Sequence, residues 1–246
     1  MNAIDVRHNV VSREEWLVAR KAHLAREKEY TRLRDELSRE RRDLPWVKVE
    51  KQYMFDGPDG RETIADLFEG RSQLIVYHFM FGPEWKEGCP GCSFLADHID
   101  GANLHLAHHD VSLVAVSRAP WPEFEAFKKR MGWRFKWVSS HGSDFNFDYH
   151  VSSNENDIAV GKHYYNYEVC NGPGGERPGI SVFCRDEADI FHTYSSFARG
   201  GDLLIGAYNY LDLTPKGRNE DDVQDWVRHH DRYGSDERAH ELPSTI

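Results

Sequence analysis

Cys89 and Cys92, with Pro90 and Gly91 between them, are the residues of this chain best placed to do chemistry. A dithiol spaced in this way at the start of a helix, just after an apolar strand, is a context for thiol–disulfide exchange. With Cys89 at the N-cap, Pro90 takes the first helical position, where its missing N–H and fixed φ cost nothing. The free backbone N–H groups and the positive end of the helix dipole then favour a thiolate at Cys89. Cys92, three positions on, is close enough to resolve a mixed disulfide.

Other chemistry competes for the same residues. Cys89-x2-Cys92-x12-His105-x3-His109 has the spacing of a two-Cys, two-His zinc site. Against it, Ala96 and Ala102 stand where such a finger holds its inner core, and the cysteines open a helix rather than a hairpin. A cysteine peroxidase of the peroxiredoxin kind shares the order of elements, but Gly82 and Lys86 replace the Pro and Thr of its Pro-x-x-x-Thr-x-x-Cys motif. Two buried cysteines without chemistry are the plainest alternative, in a non-catalytic binding or scaffold protein whose long N-terminal helix and insertion make a dimer or partner surface. Of the other thiols, Cys184 ends a strand as a small core residue and Cys170 lies in a Gly-rich loop without the pattern of a dinucleotide site. Of the fourteen histidines, His8, His23, His229 and His230 read as surface residues, and His105, His108 and His109 as solvated helix positions. His78 lies within the apolar strand upstream of the dithiol. It is either a hydrogen-bonded core residue or a proton acceptor for Cys92.

The elements that position these groups follow from periodicity. Ser12-Arg13-Glu14-Glu15 has the form of a capping box, and Leu17, Leu24, Tyr30, Leu33 and Leu37 continue a long amphipathic helix that should stop before Pro45. Such a helix packs on its own domain or on a second subunit; Arg39, Arg41 and Arg42 offer a weaker anion-binding reading. Residues 46–55 suggest a strand or two and 56–60 a hairpin turn. Thr63 to Phe68 reads as a short helix. The run from Gln73 to Met80, apolar on both faces, reads as a central strand. A helix from Cys89 to about His108, a strand over 111–116, a helix over 122–131 and a strand over 136–139 follow. Residues 140–178 have no strong period and are too long for a simple connection. Two strands, 180–184 and 190–194, and a helix over 201–210 complete a three-layer α/β domain with a mixed central sheet. The expected division is a helical extension over 1–45, an α/β domain over 46–215 with an insertion at about 140–178, and a charged tail over 216–246, in which Val223, Trp226 and Val227 seat one short helix.

Of 246 residues, 39% are hydrophobic and 29% charged, the balance of a globular protein. The longest apolar run falls far short of the roughly 20 residues of a membrane span. A net charge of -10 opposes nucleic acid as a partner. Residues 1–11 lack the basic cap and apolar core of a secretory signal, so a cytoplasmic, reducing location is expected. No cofactor is called for.

Together these residues resemble the thioredoxin superfamily and, more narrowly, an uncharacterised bacterial group, domain of unknown function 899, described as thioredoxin-like or as dithiol–disulfide oxidoreductases. The likeness is carried by Ala65 to Gly70, Tyr77 to Pro83, Gly88 to Phe94, Val116 to Pro120, Met131 to Trp133, Ser139-Ser140 with Asp144 to Asn146, His192 to Ser195, Tyr210 to Pro215 and Trp226 to Arg228. It implies a thioredoxin-like fold, Cys89 as attacking thiolate and Cys92 as resolving thiol. It also implies a cis-proline before the strand that faces the dithiol, for which Pro178 is the candidate. The partners implied are a disulfide-containing protein or a small-molecule thiol, and an external reductant; a homodimer is also expected. Gly88 departs from the Trp of thioredoxin, Pro90-Gly91 reverses its Gly-Pro, and the insertion at 140–178 has no counterpart in a minimal thioredoxin.

Overall fold

A computed structural model describes residues 8–235. The expectations for residues 1–7 and for the tail beyond 235 lie outside the described residues. The chain divides into two compact units, Met1–Pro45 and Trp46–Ile246.

The first unit is helix α1 (Arg13–Arg42). Its start is fixed reciprocally: the Glu15 N–H donates to Ser12 Oγ at 3.2 Å and the Ser12 N–H to Glu15 Oε2 at 2.9 Å. Acidic residues fill its first turn and arginines its last, each matched to the helix dipole. It ends at Asp43, two residues before Pro45. None of its residues is buried, and Leu17, Leu24, Leu33 and Leu37 form an exposed stripe.

The second unit runs β1 (Val47–Lys48), β2 (Met54–Gly57), β3 (Gly60–Thr63), β4 (Gln73–His78), α2 (Pro90–Ala96), α3 (Ile99–His108), β5 (Val111–Ser117), α4 (Trp121–Arg130) and β6 (Lys136–Ser139). The insertion supplies α5 (Phe145–Asp148), α6 (Glu155–Val160), β7 (Lys162–Tyr165) and β8 (Glu168–Asn171). β9 (Gly179–Asp186), β10 (Asp189–Phe197) and α7 (Gly206–Leu211) follow. The main sheet has the order β1-β10-β9-β4-β5-β6-β2-β3, with β7-β8 apart from it. β4 and β5 are parallel, as are β5 and β6, whereas β9 is antiparallel to both β4 and β10. Two parallel strands joined through the dithiol helices, flanked by an antiparallel pair that leads into a last helix, make the fold thioredoxin-like.

Alternation along β4 builds the layers. Tyr77 and the adjoining Phe79 and Phe81 enter the core under α2, α4 and α7, whereas Leu74 and Val76 enter a second core with Val114, Val116, Val138, Phe145 and Phe183. Trp137 anchors the first. It is fully buried, stacks on Phe124 at 4.6 Å and donates from Nε1 to Ser117 Oγ at 2.9 Å. Ser117 Oγ in turn donates to Phe79 O at 2.7 Å, so this core grips the segment leading to Cys89.

Several local expectations are corrected. The helix after Cys92 breaks at Asp97–His98, because His98 Nδ1 bonds Phe94 O at 2.8 Å, the carbonyl its own N–H would take in an unbroken helix. Over 63–68 only a single 3-10 turn forms, at Asp66–Phe68, with Thr63 N–H and Oγ both donating to the Asp66 carboxylate. Cys170 sits on β8 opposite His163, not in a loop. Cys184 is only half-buried.

Candidate active site

Cys89 occupies the N-cap of α2 and Pro90 its first helical position. The chain leaving β4 holds both cysteines. The Cys89 N–H donates to Met80 O at 3.1 Å, the Met80 N–H approaches Cys92 Sγ at 3.5 Å, and Tyr77 Oη donates to Cys92 O at 3.3 Å. Cys89 is half-buried, Cys92 is buried, and both are free thiols. These surroundings split the pair. The hydrogen bond from Cys92, helped by the backbone N–H groups of Cys92 and Gly91, lowers the Cys89 pKa to about 6 against the opposing effect of burial. Burial pushes Cys92 well up, and its bond to Cys89 and the charge there push it further. One sulfur is a thiolate near neutrality while the other keeps its proton.

A cleft of about 190 Å³ opens beside them, lined by Tyr77, Met80, Leu95, Ile180 and Ile205, with Pro178, Asp202 and Gln224 around it. Pro178 thus stands where the sequence places it, directly before β9 and beside the dithiol. Its peptide bond is trans, however, as are all those of the described residues. The chain enters from Arg177, whose N–H bonds Val151 O at 2.8 Å, and continues into β9. Tyr165 Oη fixes it there, donating to Pro178 O at 2.7 Å and accepting from Ala198 N–H at 2.9 Å.

His78 is not a proton acceptor for Cys92. Successive strand residues face opposite ways, so with Tyr77 beneath the dithiol His78 turns to the other face. There Nε2 bonds Ser181 Oγ at 2.8 Å and the ring packs near Phe145 and Tyr149. Burial, with His192 nearby, lowers its pKa to about 3, so it is a neutral core residue. The zinc reading fails as well. α2 and α3 lead the chain away from Cys89 and Cys92, leaving His105 and His109 exposed, and no group of three or more His, Cys, Asp or Glu among the described residues can hold a metal ion.

Two groups missed in the sequence come from the tail. Gln224, at φ 62°, lies over Gly91: a Cβ there would meet Oε1 of Gln224 at 2.0 Å. His229, expected at the surface, is 3% exposed. Its Nε2 donates to Gly88 O at 2.8 Å while Nδ1 accepts from Arg130 at 2.9 Å. Gly88 itself has no room for a side chain, since a Cβ would fall 2.5 Å from the Phe79 ring and 2.9 Å from that of Phe127. Trp226 and Val227 pack against the first core as expected, although no α-helix forms there and Val223 is exposed. No periodic signal marks Gln224 or His229, and Tyr77 was legible only as one residue of a run apolar on both faces.

Among solved structures, the chain is similar to peroxiredoxin Q of Xanthomonas campestris, at 12% identity and TM-score 0.42 over 65% of this chain and 96% of that one. It is similar to peroxidoxin BcpB of Mycobacterium tuberculosis, at 13% and 0.39 over 68% and 97%. A secreted Mycobacterium tuberculosis disulfide oxidoreductase homologous to E. coli DsbE gives 16% and 0.36 over 63% and 92%. Likenesses of this degree carry no argument about the chain. No curated protein matches. The family model for bacterial proteins of unknown function, DUF899, matches residues 5–233, and the chain belongs to that family.

Proposed function

We propose that this member of the DUF899 family is a thiol–disulfide oxidoreductase in which Cys89 attacks and Cys92 resolves. The observation that carries the reading is the split between the two sulfurs: a half-buried thiol lowered to about 6 at a helix start, hydrogen-bonded to a buried partner that retains its proton. The Cys89 thiolate attacks one sulfur of a substrate disulfide, forming a mixed disulfide and expelling the other sulfur as a thiolate. Cys92 then gives up its proton and attacks Cys89 Sγ; the second substrate thiolate leaves, and the two leaving groups are protonated. Two electrons have passed to the substrate, and an external thiol reductant restores the dithiol. His78 takes no part, and Pro178 and Tyr77 shape the cleft. A reducing cytoplasm suits this direction, and among the described residues no helix is long and apolar enough to cross a membrane. The substrate is a protein or small-molecule disulfide that reaches the cleft, and a second copy of the chain joins through α1.

The test is iodoacetamide alkylation of the reduced protein against pH, together with reduction of a dithiobis-nitrobenzoate probe by Cys89→Ser and Cys92→Ser. Alkylation of Cys89 should titrate near pH 6, about three units below an ordinary thiol. Cys89→Ser should abolish turnover, and Cys92→Ser should trap a mixed disulfide on Cys89. Intact reductase activity in Cys89→Ser would end the proposal. A hydroperoxide added in parallel separates peroxide reduction, which yields the same internal disulfide.

A further inference from the structure

A second cavity, of about 280 Å³, lies between the β7-β8 hairpin and β10 and shares no residue with the dithiol cleft. The two are back to back across one strand: Ser195 and Phe197 line this cavity, Ser196 the other. Its walls are aromatic, formed by Tyr149, Tyr164, Tyr167 and Phe197 with His150 and His192, and no lysine or arginine is among them. The rings stand steeply to one another. Tyr149 and His192 meet at 84° with centroids 5.3 Å apart, and Tyr167 and Phe197 at 69° and 5.5 Å. Each pair packs edge to face, so the wall is a set of rings in contact, with Tyr164 and Tyr167 exposed at its rim.

The electrostatics favour a cation. Aromatic faces are negative, and burial lowers the pKa of His192, so that wall carries no opposing charge near neutrality. Asp148 reaches the cavity. Lys51 lies 2.7 Å from both Asp144 and Asp148, one ammonium between two carboxylates, which leaves one negative charge at this edge. Tyr167 adds an independent sign that the wall is built. Asn166 and Tyr167, at φ 51° and 68°, form the two-residue turn between β7 and β8. That turn favours Asn-Gly, and a bulky residue in its second position is strained. The strain is retained where the side chain has a use: Tyr167 Oη donates to Ser195 O at 2.9 Å and the ring closes the wall beside Phe197.

We propose that this cavity binds a small organic cation of the methylated-ammonium class, held by its aromatic walls and by the net negative charge of the Asp144–Lys51–Asp148 group at its edge. The binding is independent of the dithiol and needs no redox step.

The test is calorimetric titration of the full chain with choline and with its uncharged isostere 3,3-dimethylbutan-1-ol, in which carbon replaces the ammonium nitrogen. Choline should bind with a Kd of about 1 mM or tighter. The isostere should bind at least tenfold more weakly, about 1.4 kcal/mol and within the range of one desolvated cation–π contact. Tyr164→Leu, outside the strained turn, and Tyr167→Leu should each weaken choline severalfold or more, and Cys89→Ser should leave it unchanged. Equal binding of the isostere, no heat with choline, or binding indifferent to Tyr164→Leu would each overturn the proposal; dependence on Cys89 would move the ligand to the other cleft.

Discussion

At the scale of single residues, strand alternation gives two adjacent side chains separate jobs. Tyr77 serves the dithiol, while His78 faces the other core and joins a chain of bonds through Ser181 and Ser195 to His192. A neutral buried histidine has a measurable signature. Its folded pKa of about 3 lies below the ordinary 6.5, so between these values the unfolded chain binds a proton that the folded chain does not. Stability is therefore full above pH 6.5 and falls as pH drops through that window, by up to about 1.4 kcal/mol per unit. Urea unfolding at pH 7 and pH 4 should show the wild type losing roughly 2 to 3 kcal/mol more than His78→Gln. Equal losses would assign the acid sensitivity to other groups. The sequence identified His78 as unusual from its apolar neighbours, but only the opposite-facing Tyr77 reveals which side it serves.

Among the elements, those with strong local periods were the legible ones. The runs at 73–78, 111–117 and 136–139 are strands because β-branched and aromatic residues fill them, and the dithiol helix starts at Pro90 because proline suits that position. The break at His98 was hidden because it depends on one side chain capturing one carbonyl, which leaves no mark on the apolar pattern. The hairpin β7-β8 was missed for a related reason: its turn uses Asn-Tyr, without the glycine that usually announces such a turn. α1 was legible end to end from its caps, and its exposed leucines give the homodimer proposal its basis. Light scattering of the full chain should give twice the chain mass of 28.6 kDa, and deletion of residues 1–44 should return it to a monomer. A full-length chain that is already monomeric would rule out that role for α1.

For the whole molecule, the dithiol is assembled from both ends of the second unit. β4 and α2 carry the sulfurs, yet Gln224 covers Gly91 and His229 holds Gly88, each more than a hundred residues downstream. Contacts of that separation are invisible to any window on the sequence, which is why the tail read only as a charged end with one seated segment. Every strand of the sheet lies before the residues that brace the thiols, so a chain cut short of Gln224 keeps the strands and loses both braces. A chain ending at Asn219 should keep its far-ultraviolet dichroism and alkylate at Cys89 about tenfold faster, the effect of losing about 1.4 kcal/mol of local closure. An unchanged rate would mean that the tail does not shield the sulfur. On this prediction the segment beyond Asn219 acts as a guard on the dithiol, its loss exchanging a shielded sulfur for an indiscriminately reactive one.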